Sequence, residues 1–167
     1  MSFARERFDH MGTGTFEMLD SPAASLRVQT LQCPMDTFDD FGTANAAIVA
    51  RIGATRFLFI GESLRVIDAL GATVLNAAGE RLASTVATIA TDAGEVTVTR
   101  ERRGARETYH WRLRHVAGHL IVSSSSVLTK GGYTMLNVII GLDEQIAADS
   151  KNSGICTTNC PDVIIDG

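Results

Sequence analysis

From Thr55 to Thr129 the chain is a series of short runs in which apolar and polar positions alternate. Between them lie turns that end in glycine: DALG (68–71), NAAG (76–79), DAG (92–94), RG (103–104), VAG (116–118) and KGG (130–132). Asp or Asn shortly before Gly makes a turn for a physical reason, because the Asx side chain bonds its own backbone and Gly accepts positive φ. Regular spacing of such runs predicts an antiparallel meander of about seven strands, closed as a barrel or strongly curved. SLRVQTLQC (25–33) predicts a further strand, ended by Pro34.

Two segments have the spacing of helices. Asp36 is a candidate N-cap with Asp39 three residues on, Phe38, Phe41, Ile48 and Ile52 share a helical face, and Gly53 can supply the stop. This predicts a helix over 36–52, and the acids Asp36, Asp39 and Asp40 suit its positive end. In YTMLNVIIGLDEQIAADSK, Met135, Ile139, Leu142 and Ile146 follow one helical face and Leu136 and Ile140 the next. An element apolar on every side is buried on every side, so residues 135–142 are expected to plug the sheet as a buried C-terminal helix.

The expected fold class is therefore mainly β (α+β): an antiparallel meander or barrel of about seven to eight strands, with one N-terminal and one buried C-terminal helix. Residues 1–20, punctuated by Gly12 and Gly14, read as an N-terminal arm, 21–149 as a single β-rich domain, and 150–167 as a tail carrying Cys156 and Cys160.

One hairpin can be registered from residue types. A two-residue loop at Arg103-Gly104 opposes Glu101 to Arg106, Arg100 to Glu107, Thr99 to Thr108, Val98 to Tyr109, Thr97 to His110, Val96 to Trp111 and Glu95 to Arg112. Opposite charges, a Thr pair and aromatic–valine pairs all agree with cross-strand preferences. Of the six arginines between 100 and 114, this register gives Arg100, Arg106 and Arg112 a carboxylate on a charged outer face. Arg102, Arg103 and Arg114 are left as candidates for an anion.

Composition narrows the functional classes. The 167 residues are 45% hydrophobic and 20% charged, ordinary for one globular domain. A net charge of −4 argues against a dedicated nucleic-acid binder. MSFARERFDH has no apolar h-region, and the longest near-apolar run, MLNVIIGL, falls far short of the roughly 20 residues of a membrane-spanning helix. A cytoplasmic location is expected, where Cys33, Cys156 and Cys160 are free thiols or ligands.

The stretch FLFIGESLRVID-x-x-G, then TIATDAGEVTVTRER, then a strand with the aromatic pair Tyr109 and Trp111, and finally LNVIIGLDE, resembles the tubby-like C-terminal domain superfamily. That superfamily includes the LURP-one-related proteins and the phospholipid scramblases, and the resemblance covers roughly residues 56–146. It implies a β-barrel threaded by a hydrophobic C-terminal helix, with binding to lipid or a membrane surface. The order of strand, helix, meander and helix also fits the helix-grip lipid-carrier fold by analogy.

Candidate chemistry is sparse. His115 and His119 flank the VAG turn and are expected to be near neighbours; Cys156 and Cys160 could complete a zinc site, though C-x3-C is not a tight knuckle spacing. No G-x-S-x-G elbow occurs, and no carboxylate pair is placed for acid–base work. The candidate ligand-binding set is Tyr109, Trp111, Ser123, Ser125 and Ile139. The expected function is non-catalytic binding of a hydrophobic or lipid-like ligand or a membrane surface, without a cofactor. Two alternatives are a structural subunit of a homo-oligomer and a carrier domain whose Cys/Thr-rich C-terminal peptide is modified.

Overall fold

The computed structural model describes residues 13–34, 43–77, 87–103, 108–126 and 134–154; of 34, 102–103, 108–109 and 124–126 it describes the backbone. The protein is mainly β. Strands β1 (Gly14–Ser21), β2 (Leu26–Pro34), β3 (Thr43–Ile52), β4 (Thr55–Ile60), β5 (Ser63–Ile67), β6 (Thr73–Ala77), β7 (Ala87–Thr91), β8 (Gly94–Arg103), β9 (Thr108–His115), β10 (Gly118–Ser126) and β11 (Thr134–Leu142) precede one helical turn, α1 (Glu144–Ala147). All pairings are antiparallel.

Nine strands run in the order β6-β5-β4-β3-β11-β10-β9-β8-β7, with β2 also on β3 and β1 on β2. β2 pairs with β3 along its length, so β4 and β11 share the other edge. Ala47–Ile52 pair with β4, while Asn45 opposes Leu136 of β11 and donates its Nδ2 to the Leu136 carbonyl at 3.0 Å. The sheet branches there and curls into a half-barrel. Two bonds tie β3–β5 to β7–β9 across the half-barrel. The Trp111 Nε1 of β9 donates to the Glu62 carbonyl in the β4–β5 turn at 3.2 Å. The Ala54 amide in the β3–β4 turn donates to Asp92 Oδ1 in the β7–β8 turn at 2.8 Å.

The core follows from alternation. Val28, Ala50, Phe57 and Val66 form one inward row across β2–β5, and Val122 and Trp111 face them from β10 and β9. Each fully buried Phe, Leu or Val contributes roughly 1.5–3 kcal/mol by leaving water. Arg100 also points inward: it is 3% exposed, and its guanidinium lies 5.3 Å from the centre of the Trp111 ring.

Several expectations are corrected. Within the span expected to be helical, 43–52 is strand β3, with Ile48, Ala50 and Ile52 buried between outward Val49 and Arg51; residues 36–42 lie outside the described residues. Likewise 134–142 is strand β11, not a threaded helix: Leu136 is buried and Asn137 and Ile139 are exposed. Ile139 is 60% exposed. The described residues contain eleven strands, more than expected, and their helix is the single turn α1. Residues 14–20, placed by composition in an arm, belong to β1.

The β8–β9 hairpin is also registered differently. Arg100 opposes Trp111, Glu101 opposes His110 and Val98 opposes Leu113, four positions along from the two-residue-loop register. Arg100 lies on the inward face with Val96 and Val98 and is buried, not on a charged outer face, and in the observed register Arg112 approaches Glu101 at 4.0 Å instead of Glu95. A slip of four keeps every side chain on its own face, so the apolar pattern alone cannot choose between the two registers.

The turns at DALG, DAG and VAG are present as expected. In the first, Asp68 Oδ1 accepts from the Leu70 and Ala72 amides at 2.9 and 2.8 Å. The rest of NAAG after Ala77, Gly104 and KGG lie outside the described residues.

Candidate functional site on the outer face of β2–β5

The described members of the ligand-binding set expected from the sequence lie on opposite faces of the sheet. Trp111 is buried at 1% exposure and faces inward. Ser123 opposes His110 and Asn137 on the outward face, and Ile139, opposite Ile121, faces outward too. Ser125 opposes Met135 and Tyr109 opposes Arg102, but the side chains of Ser125, Tyr109, Arg102 and Arg103 lie outside the described residues. Arg114 is exposed and pairs with His119. A depression among Leu26, Ile52, Leu113 and Leu120 holds about 10 Å³, space for one water and no lipid.

The two histidines separate. His115 pairs with Gly118 and points inward, where its Nε2 lies 2.8 Å from the Ala93 carbonyl and its Nδ1 accepts from the Ala117 amide at 3.4 Å. One neutral tautomer, protonated at Nε2, satisfies both bonds, so neither nitrogen is spare for a metal. His119 lies on the opposite face, its ring filling the space a side chain at Gly141 would need. Cys156 and Cys160 lie outside the described residues, and Cys33 is an exposed thiol on β2. Among the described residues no three His, Cys, Asp or Glu side chains gather at a metal-binding distance.

The outer face of β2–β5 has a definite pattern, which the pairings place in rows. Across four strands, Arg27 opposes Arg51, Arg51 opposes Arg56 and Arg56 opposes Ile67. The next row is Gln29, Val49, Leu58 and Arg65, and the third is Leu31, Ala47, Ile60 and Ser63. Successive rows are two residues, about 7 Å, apart along the strands.

Charge is unevenly satisfied across these rows. On β1, Glu17 and Asp20 flank Arg27: its Nε donates to Glu17 Oε2 at 2.6 Å, its Nη2 also meets that carboxylate, and Asp20 Oδ2 is 3.8 Å away. Arg65 turns its Nε and Nη2 to the Thr73 hydroxyl, at 3.2 and 3.0 Å. Arg51 and Arg56 are exposed, and no carboxylate among the described residues forms an ion pair with either. Like charges directly opposed on a sheet are destabilising.

The third row is apolar as far as Ser63, and its two large side chains are exposed. Leu31 is 42% and Ile60 56% exposed, flanking Ala47, with half-buried Val49 and Leu58 beside them. Leu70 and Val116, more exposed still, stand singly at turn tips, which is ordinary for a protein surface. Leu31 and Ile60 instead share a face with one another and with the arginines.

The helix expected over 36–52 keeps Arg51 and Arg56 apart, so the sequence pattern does not bring these arginines together. Read as a hairpin, RIGATR (51–56) turns at Gly53-Ala54 and sets its two arginines opposite each other. Arg27 joins them only through the pairing of β2 with β3. Compared with protein-family models, curated proteins and solved structures, the chain matches none.

Proposed function

We propose that the protein is a non-catalytic binding domain for a lipid-like partner, acting at a membrane surface in the cytoplasm. The observation that carries this is the exposed aliphatic row Leu31–Ala47–Ile60 on the same open sheet face as Val49 and Leu58. An apolar group held on one face of a rigid sheet is suited to shallow insertion at a bilayer interface. Among the described residues no helix is long and apolar enough to cross a membrane, so contact through helices would be peripheral. The resemblance to tubby-like domains points to the same partner class, although the threaded helix it implies is a strand here.

Sedimentation with phospholipid vesicles tests this reading. The wild-type chain is expected to pellet with vesicles, and a Leu31→Ser/Ile60→Ser variant with unchanged thermal stability is expected to stay in solution. Equal pelleting of the two proteins, or none by either, refutes the proposal.

A second reading has its own observation. Ile121 and Ile139 form an outward apolar pair on β10 and β11, which a neighbouring copy in a homo-oligomer would cover. Light scattering distinguishes the two: a defined oligomer that Ile139→Glu dissociates supports assembly, and a monomer excludes it.

A further inference from the structure

We propose that Arg51, Arg56 and Arg65 form an anion site for the phosphate of a negatively charged phospholipid headgroup. This rests on the proposed membrane-surface function and names the lipid class it selects. Arg51 and Arg56 are directly opposed, and Arg65 is diagonal to Arg56, two residues from its partner Ile67. All three are exposed, and no ion pair to a carboxylate among the described residues neutralises them. Arg27, beside them, is already engaged by Glu17 and Asp20, so the acidic groups of β1 are occupied and bound the site on that side. Asp68, at the other end after Ile67, is occupied by the amides of its own turn.

With a net charge of −4, the whole molecule gives no general attraction for anions; the attraction is local to this face. Guanidinium groups suit phosphate because their planar donors match its oxygens in pairs.

The aliphatic neighbours decide which phosphate. An acidic peptide or a free phosphate could satisfy the arginines but would leave Leu31 and Ile60 in water. A phospholipid meets both. The first and third rows are separated by two steps of about 7 Å. Apolar side chains of interfacial elements reach roughly 5–10 Å into the headgroup–acyl boundary. A tilt that places Leu31 and Ile60 at that depth leaves Arg51 and Arg56 at the level of the phosphates.

The test compares the full chain on vesicles of phosphatidylcholine alone and of phosphatidylcholine with phosphatidylglycerol. A basic residue at an anionic surface is worth about fivefold in affinity, so the pair Arg51→Gln/Arg56→Gln is expected to lose roughly 25-fold on the anionic vesicles. Its weaker binding to phosphatidylcholine is expected to remain, whereas Leu31→Ser/Ile60→Ser loses both. The lysine pair Arg51→Lys/Arg56→Lys keeps the charge but not the paired donors, and is expected to lose clearly less than the glutamine pair; an equal loss in both would overturn the part assigned to charge.

Equal wild-type binding to the two vesicle types overturns the anion site and leaves the surface reading intact. No binding to either overturns the surface reading and the site together. Soluble glycerol phosphate, added as a competitor, is expected to leave vesicle binding unchanged. Full displacement by millimolar competitor would mean that the site serves a soluble phosphate compound, and would refute the lipid assignment.

Discussion

Arg51 and Arg56 face each other across the β3–β4 hairpin, and no described carboxylate forms an ion pair with either. In the isolated molecule this opposition is a cost. An opposed pair of like charges differs from a neutral pair by roughly 0.2–1 kcal/mol, and Thr suits a strand better than most neutral replacements. Arg51→Thr is therefore expected to stabilise the free protein by about that amount, a rise in Tm of up to about 4 °C for a chain of this size. Calorimetry checks it. A fall in Tm would show that Arg51 has a favourable partner in the free molecule.

Gly53 occupies the centre of the same hairpin at φ +58, and its amide donates to the Ser25 carbonyl at 2.8 Å. A side chain there would meet the Asp92 carboxylate, which accepts from the neighbouring Ala54 amide. Gly53→Ala thus faces two penalties, the left-handed backbone, at roughly 1–2 kcal/mol, and the collision. Only the second depends on Asp92. The cost of Gly53→Ala is expected to be smaller in an Asp92→Ala background, giving a non-additive double-mutant cycle in urea denaturation. Strict additivity would detach the β3–β4 turn from the β7–β8 turn.

These turns mark the boundary between what the sequence disclosed and what it hid. DALG and DAG were readable because Asx–Gly chemistry is local and Asp68 closes its own turn. The strands at 43–52 and 134–142 were hidden by an arithmetic coincidence: positions four apart share a face in a helix and also in a strand. Ile48 and Ile52, or Leu136 and Ile140, fit both periods. The intervening Ala50 and Val138, at the two-residue step, carry the strand signal, reinforced by the β-branched run Val138–Ile140. Alanines at 44, 46, 47 and 50 favour a helix locally. Pairing along β2 on one edge and β4 and β11 on the other overrides that preference. The arginine face was legible only in part: with 43–52 as a strand, the local hairpin RIGATR sets Arg51 opposite Arg56, whereas Arg27 joins them only through the pairing of β2 with β3, which no local pattern specifies.

Trp111 is the only tryptophan of the chain, and it reports on the interior. It is 1% exposed, hydrogen-bonded to the Glu62 carbonyl and covered by Arg100, on the concave side opposite the proposed surface site. Binding at the outer face is expected to leave its fluorescence maximum unchanged, whereas a ligand entering the half-barrel would shift it. Trp111→Phe removes the indole donor and part of the ring volume, and is expected to cost roughly 1–3 kcal/mol. That cost should appear as a lower urea midpoint with an unchanged slope.

Strand β11 offers the sharpest test of the architecture, because a threaded helix and a strand demand opposite things of neighbouring residues. On a buried helix Leu136 and Ile139 would both resist truncation. On the strand, Leu136 is 2% exposed and faces the core, while Ile139 is 60% exposed and faces away. Leu136→Ala is therefore expected to cost about 2–5 kcal/mol. Ile139→Thr keeps a β-branched side chain on an open face and is expected to change stability by no more than about 0.5 kcal/mol. Chemical denaturation of the two variants measures both values in the monomer. Comparable losses at the two positions would mean that Ile139 is buried, and the half-barrel with an open outer face could not be the folded state.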